Sequence, residues 1–257
     1  MFICVIIIQM KRFYSLCLLL GLVVSFCYAQ DRTVQNRPYT DLRQFHFGIL
    51  VGTHLQDIEF LNVGPTSTVM EDGTIIESLV TADQDRWDAG FNVGVLGELR
   101  LNTNFQLRVA PAMYFGTRHI TFHNFNDVDP DGEVRKQRQD MKTAYFSTAV
   151  DLIFAGPRFG NHRPYMILGA NPMINLSNKQ DDFLKLKRSD LFLEIGAGCD
   201  FYLPFFKLRP ELKFLYGLSN CLDKDHINQL RDKNMIPYTQ SVSEAHSKMI
   251  VLTFYFE

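Results

Sequence analysis

A strict alternation of apolar and polar or small residues runs through the stretch DLFLEIGAGCDFYL, residues 190–203. Leu193 and Ile195 fall on one parity, and Glu194 and Asp200 fall on the other. A period of two residues is typical of a β-strand with one apolar and one polar face. Such a strand suits either a soluble sheet protein, with the apolar face inside, or a membrane barrel, with the apolar face turned outward to lipid.

The N-terminus predicts export from the cytoplasm. The basic pair at 11–12 precedes an apolar run, residues 13–26, and a small-residue motif that ends at Ala29. These features are typical of a secretory signal that spans residues 1–29, with Met10 as an alternative start. An uncleaved anchor fits less well, because the basic pair interrupts the apolar residues and a polar stretch follows at once.

Eight stretches of the chain carry the strand pattern. They cover residues 45–53, 87–101, 105–119, 143–154, 164–176, 190–203, 208–218 and 248–256. A tilted strand crosses a bilayer in about 9–11 residues, and all eight reach that length. Ordinary soluble strands are shorter, at about five or six residues.

The connections between these predicted strands alternate in length. The long ones cover residues 55–86, 120–142, 177–189 and 219–247, and the short ones cover 102–104, 155–163 and 204–207. All long loops then lie at one end, as in outer-membrane barrels. The sequence therefore predicts an all-β fold, an eight-stranded antiparallel up-and-down transmembrane β-barrel. We assign it residues 45–257, with residues 30–44 as an N-terminal periplasmic lead.

The polar parity is predicted to face the lumen of this barrel. It contains glycines among its charges, and small residues are needed where side chains from several strands meet inside a narrow barrel. A lipocalin, the soluble rival, would have the inverse arrangement, with an apolar interior. Because buried charges are costly alone, the lumen charges must form a structural network of ion pairs and hydrogen bonds. The predicted members are Asp88, Glu98, Arg100, Arg108, Arg118, Asp151, Glu194, Asp200, Arg209, Glu211 and Lys213.

The mature chain resembles the PorT family of the Bacteroidota. The resemblance rests on RQFHFGILVG, HRPYMILGANPMINL, LEIGAGCDFYLPFFKLRPELKFLYGL and the terminal VLTFYFE. It implies a small outer-membrane β-barrel protein that the type IX secretion system needs to export proteins with a C-terminal signal. It implies no catalytic motif. The implied partners are outer-membrane lipid and other type IX components, with secreted cargo as an indirect partner.

Several residues would suit other functions. His119 and His123 are four residues apart, but this is not a metal-ligand spacing on a strand. The stretch 127–134 looks like a calcium loop without the full ligand spacing. An outer-membrane enzyme could use Asp85, Asp88, His119 and His226 at the barrel rim, although no motif joins them.

We therefore expect a non-enzymatic protein without cofactor or metal. The net charge of −2 and a pI of about 6.4 give no basic field for nucleic acid. A passive pore is disfavoured, because side chains just fill an eight-stranded barrel. A barrel enzyme and a passive structural or adhesion barrel of the OmpX type remain the alternatives.

Overall fold

The structure, a computed structural model, describes residues 34–69, 75–128, 131–132, 134–177, 183–230 and 235–257. The sheet lies in one compact unit, Asn36–Glu257. The predicted signal lies outside the described residues.

Eight long antiparallel strands close into a barrel. They are β1 (Phe45–Asn62), β5 (Asp88–Arg100), β6 (Phe105–Val128), β7 (Val134–Ala155), β8 (His162–Asn175), β9 (Ser189–Tyr202), β10 (Lys207–Gly217) and β11 (Val242–Phe256). Each pairs with its neighbour along the chain, and β1 pairs with β11 to close the ring. The predicted up-and-down barrel is confirmed. Among the described residues, no helix is long and apolar enough to cross a membrane.

The burial of side chains alternates along every barrel strand. On β9, Leu193 and Ile195 are 45% and 52% exposed, whereas Phe192 and Glu194 are fully buried. The exposed parity is the apolar one, so the apolar side chains form a belt around the outside. In water such a belt would be unfavourable, but it is the surface that a bilayer covers.

Glycines on the inward parity make room for the large lumen side chains. A Cβ at Gly198 would lie 2.6 Å from the ring of Tyr165 and 2.8 Å from Cγ of Glu211. A Cβ at Gly196 would lie 2.5 Å from the carbonyl oxygen of Leu212. Real Cβ atoms do not approach that closely, so only glycine fits beside these neighbours.

The third and fourth barrel strands are longer than predicted. Residues 120–142, predicted as a loop, belong mostly to β6 and β7, which pair continuously from Phe105–Phe154 to Asn124–Arg135 and leave a connection of only 129–133. The inward alternation continues, since Ile120 and Phe122 are fully buried. Apart from Phe125, the outward residues there are polar, because beyond the bilayer a strand needs no apolar outer face. The sequence signal therefore stops before the strand does.

The end of the barrel that carries the long connections, the loop end, is capped by its own elements. Strand β1 runs on to Asn62, β2 (Thr66–Val69) and β3 (Ile75–Ser78) form a hairpin, and β4 (Val80–Asp83) pairs with β6. The final connection contains a 3-10 helix and a short α-helix, α1 (Ile236–Gln240).

An apolar cluster fills the barrel at the loop end. Its fully or nearly buried members are Ile58, Val80, Ala82, Ile120, Phe122, Leu184, Leu186, Cys221, Leu222, Val242 and Ala245. Phe122 contacts the rings of Phe183 and Tyr238 at 5.4 and 5.6 Å. These side chains come from barrel strands and from three of the long connections, so part of each of these connections is folded into the barrel mouth.

Cys199 and Cys221, the two cysteines that follow the predicted signal, are expected to be free thiols with different reactivity. Cys199 lies half-buried on β9, and Cys221 is buried in the loop-end cluster, where its burial raises the pKa of the thiol. Because the thiolate is the reactive form, Cys221 should resist a water-soluble maleimide in the folded protein. Mass spectrometry should find two modified thiols after denaturation without reductant. Rapid labelling of Cys221 in folded protein would contradict its placement.

Candidate functional site

A layer of buried ion pairs crosses the lumen near the end with the short turns, the turn end. Arg209 contacts Glu98 at 2.6 Å, Asp200 at 2.6 Å and Glu257 at 2.5 Å. Arg108 lies 3.2 Å from Glu98. All five side chains are at most 3% exposed. Because these residues come from different strands, their opposite charges compensate one another across the lumen.

Two tyrosines and a fourth acid, Glu211, complete this layer. Glu211 accepts hydrogen bonds from Arg108 at 2.5 Å and from the hydroxyl of Tyr165 at 2.6 Å. The guanidinium of Arg108 lies 4.5 Å from the ring centre of Tyr255, and that of Arg209 lies 4.9 Å from the ring of Tyr165. The rings thus cover the faces of the guanidiniums while the carboxylates take their edges.

A second charge layer lies deeper along the lumen. Lys213 contacts Glu194 at 2.8 Å and Asp151 at 3.7 Å, and Asn171 donates to Glu194 at 3.0 Å. Arg118 lies further toward the loop end and donates to Gln56 and Ser247 rather than to a carboxylate.

The placement of the predicted lumen residues is uneven. Ten of the eleven are buried, and Arg100 is the one that is not. Arg100 has the inward parity, but it lies at the turn end, where it donates to the carbonyl oxygens of Leu42 and Asn102. Asp88 lies at the opposite end, bonded to His119. The prediction that Arg100 belongs to the buried network is therefore corrected.

Two members of the network were missed by the sequence reasoning. Lys207 contacts Glu257 and lies 3.9 Å from Asp200, and Glu257 also accepts from Arg209. Both follow the inward parity of Arg209 and Tyr255, so the alternation contained the signal. The predicted strands do not include them, because Lys207 directly precedes the strand 208–218 and Glu257 directly follows the strand 248–256.

The N-terminal residues before β1 close the turn end. Asn36 donates its side-chain amide to the carbonyl of Tyr202, and Asp41 accepts from the Tyr202 hydroxyl at 2.6 Å. Arg158, in the turn between β7 and β8, bonds the carbonyl of Asn36 and stacks 3.6 Å from the Tyr202 ring. These contacts hold the segment before β1 across the opening of the lumen.

A known protein family matches most of this chain. The family model described as "Outer membrane protein beta-barrel domain" matches residues 28–223. The chain belongs to this family. It is an outer-membrane protein, and its apolar belt contacts membrane lipid.

Solved outer-membrane barrels are also similar to it. Neisserial surface protein A is 10% identical, with a TM-score of 0.40, over 83% of this chain and 98% of that one. Ail, the attachment invasion locus protein of Yersinia pestis, is 14% identical in its complex with sucrose octasulfate, with a TM-score of 0.36, over 83% and 99%. No curated protein matches the chain.

The rim of this outer-membrane barrel brings two of the candidate catalytic residues together. His119 Nδ1 lies 2.7 Å from Asp88, but its Nε2 faces Asp140 at 3.7 Å. Both ring nitrogens of His119 thus face carboxylates, and among the described residues no serine, threonine or cysteine side chain is hydrogen-bonded to this imidazole. Asp85 lines the same small pocket as His119, but its carboxylate accepts a hydrogen bond from Thr121 and not from the imidazole. The side chain of His226 lies outside the described residues.

The described residues give no support to a metal site at His119 and His123 or to a calcium loop at 127–134. Within the described part of the chain, no group of three His, Cys, Asp or Glu side chains could hold a metal ion. In the stretch 127–134, Asp127 pairs with Arg135 at 2.7 Å, and several of the other residues lie outside the described ranges.

Proposed function

We propose that this outer-membrane barrel is a non-enzymatic component of the type IX secretion system. In this proposal residues 1–29 are removed on export, and the barrel is needed to export proteins that bear a C-terminal secretion signal. The resemblance of its strands to the PorT family supports the choice of system. Its membership of the outer-membrane barrel family supports the location.

The observation that carries the mode of action is the filled lumen. Buried ion pairs occupy the interior, and residues 36–42 lie across the turn end. A lumen filled in this way leaves little room for a solute to pass, so we assign the role of the barrel to its outer surfaces. The partners are other secretion components, bound at the connections of the loop end or at the turns and the N-terminal lead.

A deletion strain tests this proposal. Cargo proteins with the C-terminal signal should accumulate in the periplasm when the gene is removed and should be secreted again when it is restored. Secretion at the wild-type level in the deletion strain, with expression of the protein verified in the parent, would refute it.

A restored strain that lacks residues 65–78 addresses the contact surface. This trims the β2–β3 hairpin but keeps Val80 and Ala82, which the loop-end cluster needs. We expect a folded, heat-modifiable barrel with reduced export. As a control, Arg188→Gln changes an exposed residue of another connection and should leave export intact. Full export by the trimmed barrel would indicate that the partners bind at the turn end instead of at this hairpin.

The long β6–β7 hairpin favours a structural or adhesion barrel as the second candidate. The outward residues of β6 are apolar up to Phe115, and the strand continues to Val128, about twelve residues beyond the lipid belt. A projecting sheet of this kind could contact another surface outside the cell. Normal cargo export together with altered attachment of the deletion strain would select this candidate.

A further inference from the structure

Two adjoining pockets open on the membrane-facing side of β5, β6 and β7 near the loop end. The larger is an open groove of about 640 Å³, and its walls include Trp87, Phe91 and Phe115. The smaller, of about 120 Å³, is lined by Asp85, Arg86, His119, Thr121 and Arg138. Arg86 and His119 line both pockets, so the groove beside the aromatic rings continues directly into the pocket with charged side chains at its edge.

The groove has the character of a lipid contact. The rings of Phe91 and Phe115 stack at 5.2 Å between centroids and form its lower wall. Trp87, at 39% exposure, stands above them, and the small residues Ala89 and Thr117 lie between. Because Ala89 and Thr117 are smaller than the aromatic residues around them, the apolar belt has a recess at these two positions. Tryptophan is enriched at the level where hydrocarbon meets the headgroups, which places the groove at the membrane interface.

The polar pocket lies beside a row of cations. Lys136, Arg138 and Lys142 follow the outward parity of β7, just beyond the apolar Ala144 and Phe146. None of the three has an ion pair with any residue that the structure describes. The Arg86 side chain, 70% exposed, adds a fourth cation from the segment before β5. Exposed cations directly above a lipid belt are placed to meet anionic headgroups.

The acids of this region are largely engaged. Asp88 is buried and accepts from the backbone and ring of His119, and Arg86 lies 3.5 Å from it. Asp85 accepts from the hydroxyl of Thr121 at 2.8 Å. Asp140 is 67% exposed and faces His119. Asp83 is exposed and pairs with Thr121 in the β4–β6 register, so it is the fourth acid of this face. Four cations and His119 therefore lie among four carboxylates, two of which already accept hydrogen bonds. Lys136, Arg138 and Lys142 are exposed and have no ion pair with any described residue, so they are available to an anionic group.

We propose that the two pockets together bind a phosphate-bearing lipid of the outer leaflet. An acyl chain occupies the groove between Trp87 and the Phe91–Phe115 pair. The phosphate lies at the polar pocket, where Arg86 and Arg138 donate hydrogen bonds to its oxygens. Guanidinium groups suit this role because their planar donors match phosphate geometry. The protein thereby holds a specific lipid at the foot of its projecting β6–β7 hairpin.

Lipid binding to the full-length folded barrel tests the proposal. Native mass spectrometry in a phosphate-free maltoside detergent would compare a bisphosphorylated acylated glucosamine disaccharide with its enzymatically dephosphorylated form. The wild type should bind the phosphorylated lipid on the order of ten-fold more tightly, as expected for charge-assisted hydrogen bonds. The double variant Arg86→Gln/Arg138→Gln should lose that preference. Arg188→Gln, which removes an exposed cation elsewhere at the loop end, should keep it.

A second pair of variants tests the groove. Ala89→Leu and Thr117→Leu fill its floor and should weaken binding of both lipids while leaving the charges in place. Heat-modifiability confirms that each variant is folded. A result from one folded variant is sufficient for this test. Equal affinity of the wild type for the two lipids would overturn the proposal. So would an equal loss in Arg188→Gln, or displacement of the lipid by inorganic phosphate at the same concentration, which would indicate a site for the free ion.

Discussion

Replacing Arg209 with methionine should lower the free energy of unfolding by about 3–5 kcal/mol, the cost of removing one partner from a buried ion pair. Arg209 holds three carboxylates, those of Glu98, Asp200 and Glu257, and its side chain is fully buried. Without it, three acids share the remaining cations in a lumen that water enters poorly. Urea unfolding in detergent micelles, followed by loss of heat-modifiability, measures the change.

Arg100→Met is the matched control for this prediction. Arg100 has the same parity and carries the same charge, but it bonds carbonyl oxygens at the exposed turn end. Its replacement should change stability by no more than about 0.5 kcal/mol, as for most surface substitutions. Equal losses in both variants would show that the buried network does not carry the stability we assign to it.

Ile195→Arg should impair insertion of the barrel into the outer membrane. Ile195 lies near the centre of the outward face of β9 and pairs with Phe214, so an arginine there would face hydrocarbon. The cost is about 2–4 kcal/mol for arginine near the bilayer midplane. We expect the same of Leu193→Arg and Phe214→Arg, measured as the heat-modifiable fraction in isolated membranes.

Two controls separate depth and side from the effect of the substitution itself. Leu61→Arg places arginine at an outward position that is 59% exposed but lies at the loop end of β1, beyond the belt, so it should insert normally. Gln106→Ala changes a buried lumen side chain without adding charge and should also insert. If Ile195→Arg inserted as well as these two, the outward face would not be in lipid.

The alternation in the sequence was sufficient to predict the barrel and the side of each strand. Within the bilayer both faces of a strand are constrained, one by lipid and one by the lumen. Beyond the bilayer the outer face is free, so the pattern weakens there. This is why His119 appears as a strand end in the sequence, although the pairing of β6 continues to Val128.

The membership of the lumen network can be predicted from parity, but its pairings cannot. Parity alone puts Glu98, Arg108 and Arg209 inside, and Glu98 and Arg108 are direct partners on neighbouring strands. Parity cannot say that Arg209 of β10 also reaches Glu98 of β5, because that depends on the stagger between distant strands. Parity also says nothing about depth, which is why Arg100 was misplaced. The closure of the turn end by Asn36 and Asp41 depends on tertiary contacts that no local pattern records.

The apolar parity of the strands must face lipid if the barrel lies in the membrane as we describe it. Fluorescence of a single tryptophan tests this orientation, since Trp87 is the only native one and can be replaced by phenylalanine. Val95→Trp, on the outward face of β5, would be reconstituted in vesicles whose lipids are brominated in mid-chain. We expect strong quenching by the brominated lipid and little by aqueous iodide. Quenching by iodide but not by the brominated lipid would show that this face lies in water.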